Sequence, residues 1–305
     1  MEIGYIGLGH MGRPLACQLL AKGALRVYDR SPAAMEVLRD KGASPSQSAA
    51  DLAREVDVLF TCLPTTADLQ GLLFGREGIA PLLRKGAILI DQTSGDRNAA
   101  LDLFNRLAQQ GVALVDAPVS GGPARAEAGS VALLVGAEPA LFARIAPLLA
   151  GISPNVFHAG GFGCGYVAKA ANNLIYSAHR LITFEAMAMA ASCGVEPQVM
   201  AEILSTGSAQ SGFIDTVMRD KILKGILASG FTLGLAQKDV RLATSFGAAA
   251  GMPMPLGSLI AELYQAQICR LGAGAQVNET LRLYEEQARV SIAPVPVPVP
   301  ASEPS

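Results

Sequence analysis

The sequence predicts an α/β protein: a doubly wound Rossmann-type domain followed by an all-α C-terminal domain. Three observations carry that expectation. Short apolar runs rich in β-branched residues recur through the first half and alternate with Ala/Leu-rich stretches of helical period. The first of those runs ends in a G-x-G-x-x-G turn, Gly7-Leu8-Gly9-His10-Met11-Gly12. From about residue 164 the strand signal stops and long helical patterns continue to about residue 290.

The runs "EIGYIG", "LRVYD", "VDVLFTC", "AILIDQT", "VALVDAPV" and "SVALLVG" read as strands, and their continuous apolar character suits a parallel sheet buried on both faces. "MGRPLACQLLAKG" and "RNAALDLFNRLAQQG" are two of the intervening helices. In the second half, "CGYVAKAANNLIYSAHRLITFEAMAMAASCG" reads as one long helix stopped at Gly194. "EPQVMAEILSTG", "LAQKDVRLATSFGAAAG" and "LGSLIAELYQAQICRLG" follow it as further helices. The expected division is a dinucleotide-binding domain over 1–162, a helical substrate and oligomerisation domain over 163–290, and a disordered Pro-rich tail over 291–305. Two such domains would leave a ligand cleft between them.

The glycine turn has a chemical reading. Gly7 permits the tight turn, Gly9 lets the backbone approach a pyrophosphate, and Gly12 lets helix and strand pack closely. His10 and Met11 complete the loop, and the helix N-terminus behind it favours phosphate. The next strand ends in Asp29, placed to accept the adenosine ribose hydroxyls, which favours NAD. Arg30 follows it, and a guanidinium there would admit the 2′-phosphate of NADP. Leu63 and Pro64 in "CLPTT" and Thr93 and Ser94 in "DQTSGD" sit after later strands. By position they flank the adenine and nicotinamide portions of a dinucleotide; ordinary turn chemistry is the alternative.

Composition narrows the rest. In 305 residues half are hydrophobic and 16% charged, with a net charge of −2, so no basic footprint for nucleic acid is present. No apolar run reaches membrane-spanning length, and the chain opens on a strand and a glycine turn with no leader pattern. The five cysteines and three histidines are scattered without disulfide or metal spacing, so no metal site is expected and a reduced, cytoplasmic setting is.

In the long predicted helix, Lys169, Asn172, Asn173 and Tyr176 fall at i, i+3, i+4 and i+7, on one face. The bland reading is a solvated face. The chemical one starts from what alcohol oxidation requires: a base for the hydroxyl proton while the nicotinamide takes the hydride. A lysine in a dry setting beside a positive nicotinamide has its ammonium form disfavoured, which suits it to that proton. Asn173, one turn on, can orient the reacting oxygen.

Taken together, "GYIGLGHMG", "DAPVSGGPARAEAG" (116–129), "GYVAKAANN" and "FTLGLAQKD" (231–239) resemble, in order, the motifs of the β-hydroxyacid dehydrogenase family, which includes 3-hydroxyisobutyrate dehydrogenase and tartronate semialdehyde reductase. The resemblance covers roughly residues 1–290. It implies hydride transfer between a nicotinamide cofactor and a small 3-hydroxy acid or its semialdehyde. Lys169 would be the acid/base and Asn173 the holder of the substrate oxygen. Ser120, Gly121 and Gly122 would bind the substrate carboxylate, Lys238 would approach the cofactor or substrate, and Asp239 would steady the local structure. It also implies a homodimer or homotetramer built through the helical domain. Arg125 stands where the family often has glycine; it either favours a longer or dianionic acid or points into solvent. Segment 205–215 departs from the versions associated with the two named substrates. An imine reductase-like enzyme and a non-catalytic NAD(P)-binding module are the alternatives.

Overall fold

A computed structural model describes residues 1–294, and the chain divides into two compact units, Met1–Asn172 and Asn173 onward. The first unit is built from β1 (Ile3–Ile6), α1 (Gly12–Leu20), β2 (Arg26–Tyr28), α2 (Pro32–Arg39), β3 (Ser44–Pro45), α3 (Ala49–Glu55) and β4 (Val58–Thr61). It continues through α4 (Thr66–Phe74), β5 (Ile88–Asp91), α5 (Arg97–Gln109), β6 (Ala113–Asp116), β7 (Val119–Ser120), α6 (Gly122–Glu127), β8 (Ala132–Gly136), α7 (Pro139–Leu149) and β9 (Val156–Gly160). The long helix α8 (Cys164–Ser192) begins in this unit and passes the division.

The sheet order is β3-β2-β1-β4-β5-β6-β8-β7, with β9 paired to β8. β1 to β6 are mutually parallel, and the reversal of strand order beside β1 is the switch point of a doubly wound fold. The pleat divides the core into two. Val58, Phe60, Ile88, Ile90 and Val115 pack in one cluster, while Leu59, Leu89 and Leu114, their alternating neighbours, pack in the other. Both faces are covered, as the continuous apolar strands require.

Three details differ from the sequence reading. "SVALLVG" forms β8, but antiparallel to β6 and β7. Only the short α6 separates β7 from β8, so the chain re-enters the sheet at the end it has just left; a parallel return needs a full crossover. β9 carries no apolar run: it is an exposed edge strand, with Phe157 55% exposed, so the strand signal was absent from it. The division between units falls inside α8, ten residues beyond the expected 162/163.

The second unit contains the rest of α8, α9 (Pro197–Thr206), α10 (Leu233–Ala249), α11 (Pro255–Leu271) and α12 (Leu281–Ala288). A π-helical turn spans Ile214–Arg219, in the segment the sequence left without an element. Phe184, Met187, Phe213, Met218 and Leu281 form one cluster, and Leu181, Leu233, Val240, Tyr264 and Val277 another. Arg180 is 3% exposed. Its guanidinium reaches Asn278 Oδ1 and Tyr264 Oη, each at 3.3 Å, and lies over the rings of Tyr176 and Phe213. Stacked rings and neutral acceptors thus hold a buried cation.

Ile292 and Ala293, placed by sequence in the disordered tail, are buried. Buried Glu285 accepts from the backbone N–H of Ile292 (2.6 Å) and Ala293 (2.9 Å), and Arg282 donates to the carbonyls of Ala293 and Pro294. A carboxylate three residues before the end of α12 supplies acceptors that composition alone does not reveal. The remainder of the tail expectation, residues 295–305, lies outside the described residues.

Candidate functional site

The glycine turn has the geometry its spacing predicts. Gly7 has φ +97, and its N–H donates to the Tyr28 carbonyl at 3.2 Å, tying β1's end to β2. A Cβ on Gly12 would collide with the Gly7 carbonyl oxygen, whereas a Cβ on Gly9 would meet no atom within 4 Å. Gly12 is therefore required by internal packing, whereas nothing inside the fold requires a glycine at position 9. An open backbone surface at the N-terminus of α1 fits a dinucleotide pyrophosphate. His10 is exposed and Met11 half-buried in the same loop.

Asp29 is engaged more closely than the ribose reading assumed. Its Oδ2 accepts from Leu8 N at 2.6 Å and its Oδ1 from Ser31 N at 2.8 Å. The carboxylate thus fixes the glycine loop relative to β2, and each oxygen keeps a further lone pair for a ligand hydroxyl. Arg30 next to it is exposed.

Leu63 and Thr93 are brought together: Leu63 N donates to Thr93 Oγ1 at 3.2 Å, and Thr93 Oγ1 donates to Asp91 Oδ1 at 2.6 Å. Pro64 is exposed and Ser94 half-buried, each beside its partner in sequence. Ser120 ends β7, and Gly121 and Gly122 follow at φ +136 and +74. Arg125 is exposed and lays its stem along Gly121, where an added Cβ would stand 2.9 Å from Arg125 Cδ.

Lys169 and Asn173 lie one turn apart on α8, both half-buried; Asn172 beside them is exposed. Asn173 Nδ2 donates to Asp239 Oδ2 at 2.6 Å. Asp239 is 4% exposed, on α10, and Lys238 Nζ lies 3.2 Å from its Oδ1, an ion pair lacking hydrogen-bond alignment. The second unit therefore assembles Asn173, Asp239 and Lys238 into one polar cluster.

Sequence reasoning missed the residues that fix the start of α8. Asp91 and Asp116 are the last residues of β5 and β6, paired in register and both fully buried. Asp116 Oδ1 accepts from Gly163 N at 2.7 Å and Oδ2 from Tyr166 N at 2.8 Å. Asp91 Oδ2 accepts the Tyr166 phenol at 2.6 Å. Burial pushes the Asp116 carboxyl up to about 6, against the pull of its two backbone N–H donors. Burial likewise raises Asp91, against hydrogen bonds from Thr93, Tyr166 and Thr61, and lifts the Tyr166 phenol well above its usual range. The signal was in the sequence: each aspartate closes an apolar strand at the end where such sheets place their ligands.

A doubly wound sheet with an open glycine cradle at its switch point defines a dinucleotide-binding protein. Comparison with known proteins agrees. Residues 2–160 match the family described as the NAD binding domain of 6-phosphogluconate dehydrogenase, and residues 163–284 the NAD-binding family of NADP-dependent 3-hydroxyisobutyrate dehydrogenase. The 2-(hydroxymethyl)glutarate dehydrogenase of Eubacterium barkeri is 30% identical over 96% of this chain and 98% of its own. An NAD-dependent L-serine dehydrogenase of Pseudomonas aeruginosa is 33% identical over 87% of this chain and 91% of its own. Among solved structures, a 3-hydroxyisobutyrate dehydrogenase from Salmonella typhimurium superposes with TM-score 0.81 at 26% identity, covering 92% of this chain and 98% of that one. An imine reductase from Myxococcus stipitatus shares the fold at TM-score 0.62 and 18% identity. The chain belongs to the β-hydroxyacid dehydrogenase family, and is an oxidoreductase with NAD or NADP as its cofactor. Among the described residues no helix is long and apolar enough to cross a membrane, and no cluster of His, Cys, Asp and Glu could hold a metal ion.

Proposed function

We propose that this enzyme interconverts a small 3-hydroxy acid and its semialdehyde, with NAD preferred over NADP. When bound, a nicotinamide would supply the hydride acceptor or donor, and the residues of this chain do the rest. Lys169 takes the hydroxyl proton on Nζ in the oxidative direction and returns it to the carbonyl oxygen in the reductive one. Asn173 orients that oxygen, its amide held in turn by Asp239. The Ser120 hydroxyl and the unhindered N–H groups of Gly121 and Gly122 bind the substrate carboxylate. Gly7, Gly9, His10, Met11 and Gly12 cradle the pyrophosphate, and Asp29 takes the ribose. Leu63, Pro64, Thr93 and Ser94 line the adenine and nicotinamide portions, and Lys238 is assigned to the cofactor.

The observation that carries this reading is the half-buried Lys169–Asn173 pair on one helical turn, with the Asn173 amide fixed by a buried carboxylate. A solvated surface lysine needs no such neighbour. NAD is favoured because Asp29, already bonded through both oxygens, holds a negative charge where a 2′-phosphate would lie. The test is an absorbance assay of the reduced nicotinamide across 3-hydroxyisobutyrate, L-serine, a dicarboxylic hydroxymethyl acid and their semialdehydes, with both cofactors. The dicarboxylic member is included because the Arg125 stem lies along Gly121. Turnover of cyclic imines with none of these acids would overturn the reading.

The enzyme is further proposed to act as a cytoplasmic homodimer or homotetramer joined through its helical unit. Ile175, Ile182 and Met189 recur at seven-residue spacing along α8 and are 57%, 60% and 59% exposed. Leu256 and Leu259 add 74% and 56% exposed side chains on α11. An apolar stripe of this kind suits burial against a second copy. Light scattering gives the assembly mass, and a monomer at micromolar concentration would exclude it. All five cysteines are free thiols, which suits a reducing compartment.

A further inference from the structure

Two buried carboxylates standing side by side at the ends of neighbouring strands are a costly arrangement. In the first unit they are Asp91 and Asp116, paired in register and fully buried. Neither is a metal ligand, and neither lies on the Lys169–Asn173 face. What they share is Tyr166, 1% exposed, which donates its backbone N–H to Asp116 and its phenol to Asp91. Tyr166 stands three residues, about 4.5 Å of helix rise, before Lys169.

Each carboxylate has a different task. Asp116 takes the N–H groups of Gly163 and Tyr166, and that alone caps α8. Asp91 adds a lateral tether that a cap does not need. Its Oδ2 holds the phenol, while its Oδ1 holds Thr93, whose own Oγ1 accepts from Leu63 N. One carboxylate group thus joins the loops after β4 and β5 to the first turn of α8. The surroundings are cleared for it. A Cβ on Gly136 would strike Asp116 Oδ1, one on Gly165 would strike the Leu134 carbonyl, and one on Gly95 would stand 2.8 Å from the Tyr166 ring. The Tyr166 ring also meets the edge of Phe162, with centroids 6.2 Å apart. With its phenol pushed far above neutral pH by burial, Tyr166 remains a donor under all working conditions.

We propose that Asp91, Asp116 and Tyr166 are positioning residues: they lock the first turn of α8 to the Leu63–Thr93 loops, so that the Lys169 amine and the nicotinamide-side platform keep one register. This rests on the assignment of Lys169 as acid/base.

The test compares Tyr166→Phe, which deletes only the tether, with Thr61→Val, which removes another hydrogen bond to the same Asp91 but none to α8 or the Thr93 loop. Two measurements are made on each. Amide hydrogen exchange of residues 164–172 is followed in the NAD-bound protein, and kcat and KM are determined with 3-hydroxyisobutyrate. Tyr166→Phe should speed exchange of that segment several-fold and lower kcat about tenfold with KM within twofold, whereas Thr61→Val should change each by less than threefold. Equal effects from the two variants, or wild-type exchange and kcat in Tyr166→Phe, would overturn the proposal. If Tyr166→Phe does not fold, Asp91→Asn keeps the shape, removes the buried charge and is read by the same two measurements. Lys169→Ala, run alongside, separates the two ideas. Full turnover there removes the acid/base assignment, while lost turnover there with an unaltered Tyr166→Phe removes only the positioning bridge.

Discussion

The amide of Asn173 donates to Asp239 Oδ2 at 2.6 Å, joining α8 to α10 by a charge-assisted hydrogen bond to a carboxylate only 4% exposed. Bonds of this type contribute about 1.5–3 kcal/mol, and here the bond also selects which way the amide faces. Under the proposed mechanism, removing the carboxylate lets Asn173 rotate away from the substrate oxygen. Asp239→Ala should therefore lower kcat roughly 10–100-fold, the same free energy expressed as a rate, with the Kd for NAD little changed. Steady-state kinetics with NAD titration by fluorescence checks both. Unaltered kcat would show that Asn173 needs no orientation.

Lys169→Ala removes the proposed acid/base outright. General acid–base contributions are about 10²–10⁴-fold, so kcat should fall within that range. Lys169 lies on α8, outside the Gly7–Gly12 turn, so the Kd for NAD should stay within a factor of about two. Single-turnover kinetics at saturating NAD is the direct measurement, and a variant with full turnover would remove Lys169 from the chemistry.

The glycine loop allows a sharper contrast. An alanine Cβ at Gly12 would collide with the Gly7 carbonyl, whereas at Gly9 it enters open space. Gly12→Ala should cost stability, about 1–3 kcal/mol for a forced backbone shift, and lose cofactor with it. Gly9→Ala should unfold as wild type does yet bind NAD at least about tenfold more weakly, roughly 1.4 kcal/mol. Paired thermal melts and NAD titrations distinguish the two. Equal melting-temperature losses would mean that both glycines serve packing alone.

The contrast between those glycines and the paired aspartates shows what a sequence exposes. The Gly7–Gly12 turn, the helix start behind it and the one-turn spacing of Lys169 and Asn173 on a single helix were legible because each is a local feature. So were the apolar strands, whose two-sided burial is written in each run. The strand-end position of Asp91 and Asp116 was legible but their task was not, because it depends on a tyrosine 75 and 50 residues away. The family resemblance assigned Asp239 to steadying the local structure, but its partner Asn173, 66 residues away, was not legible. β9 was missed because an exposed edge strand needs no apolar pattern, and the π-helical turn at Ile214–Arg219, where Ile214 and Met218 are buried, carries no sequence period of its own.

Asp116 gives the stability of the fold a pH dependence whose sign follows from its environment. Burial lifts its carboxyl from 3.8 to about 6, so the folded chain holds this proton more tightly than the unfolded one. A raised acid contributes stability that is fully present below the unfolded value and lost as pH rises through the folded one. A lift of that size corresponds to about 3 kcal/mol, lost between roughly pH 4 and 6 and constant above. Other carboxylates run the opposite way: Asp57 is lowered chiefly by the backbone N–H of Glu2 and Asp215 chiefly by the Ser205 hydroxyl. The group must therefore be isolated by difference. Asp116→Asn cannot titrate. Relative to wild type, its unfolding free energy should improve steadily as pH rises from 4 to 6, whatever the constant cost of the substitution itself. Urea unfolding of both proteins at half-unit pH steps measures this. A pH-independent difference would mean that Asp116 ionises at an ordinary carboxylate pH, and that water reaches the start of α8.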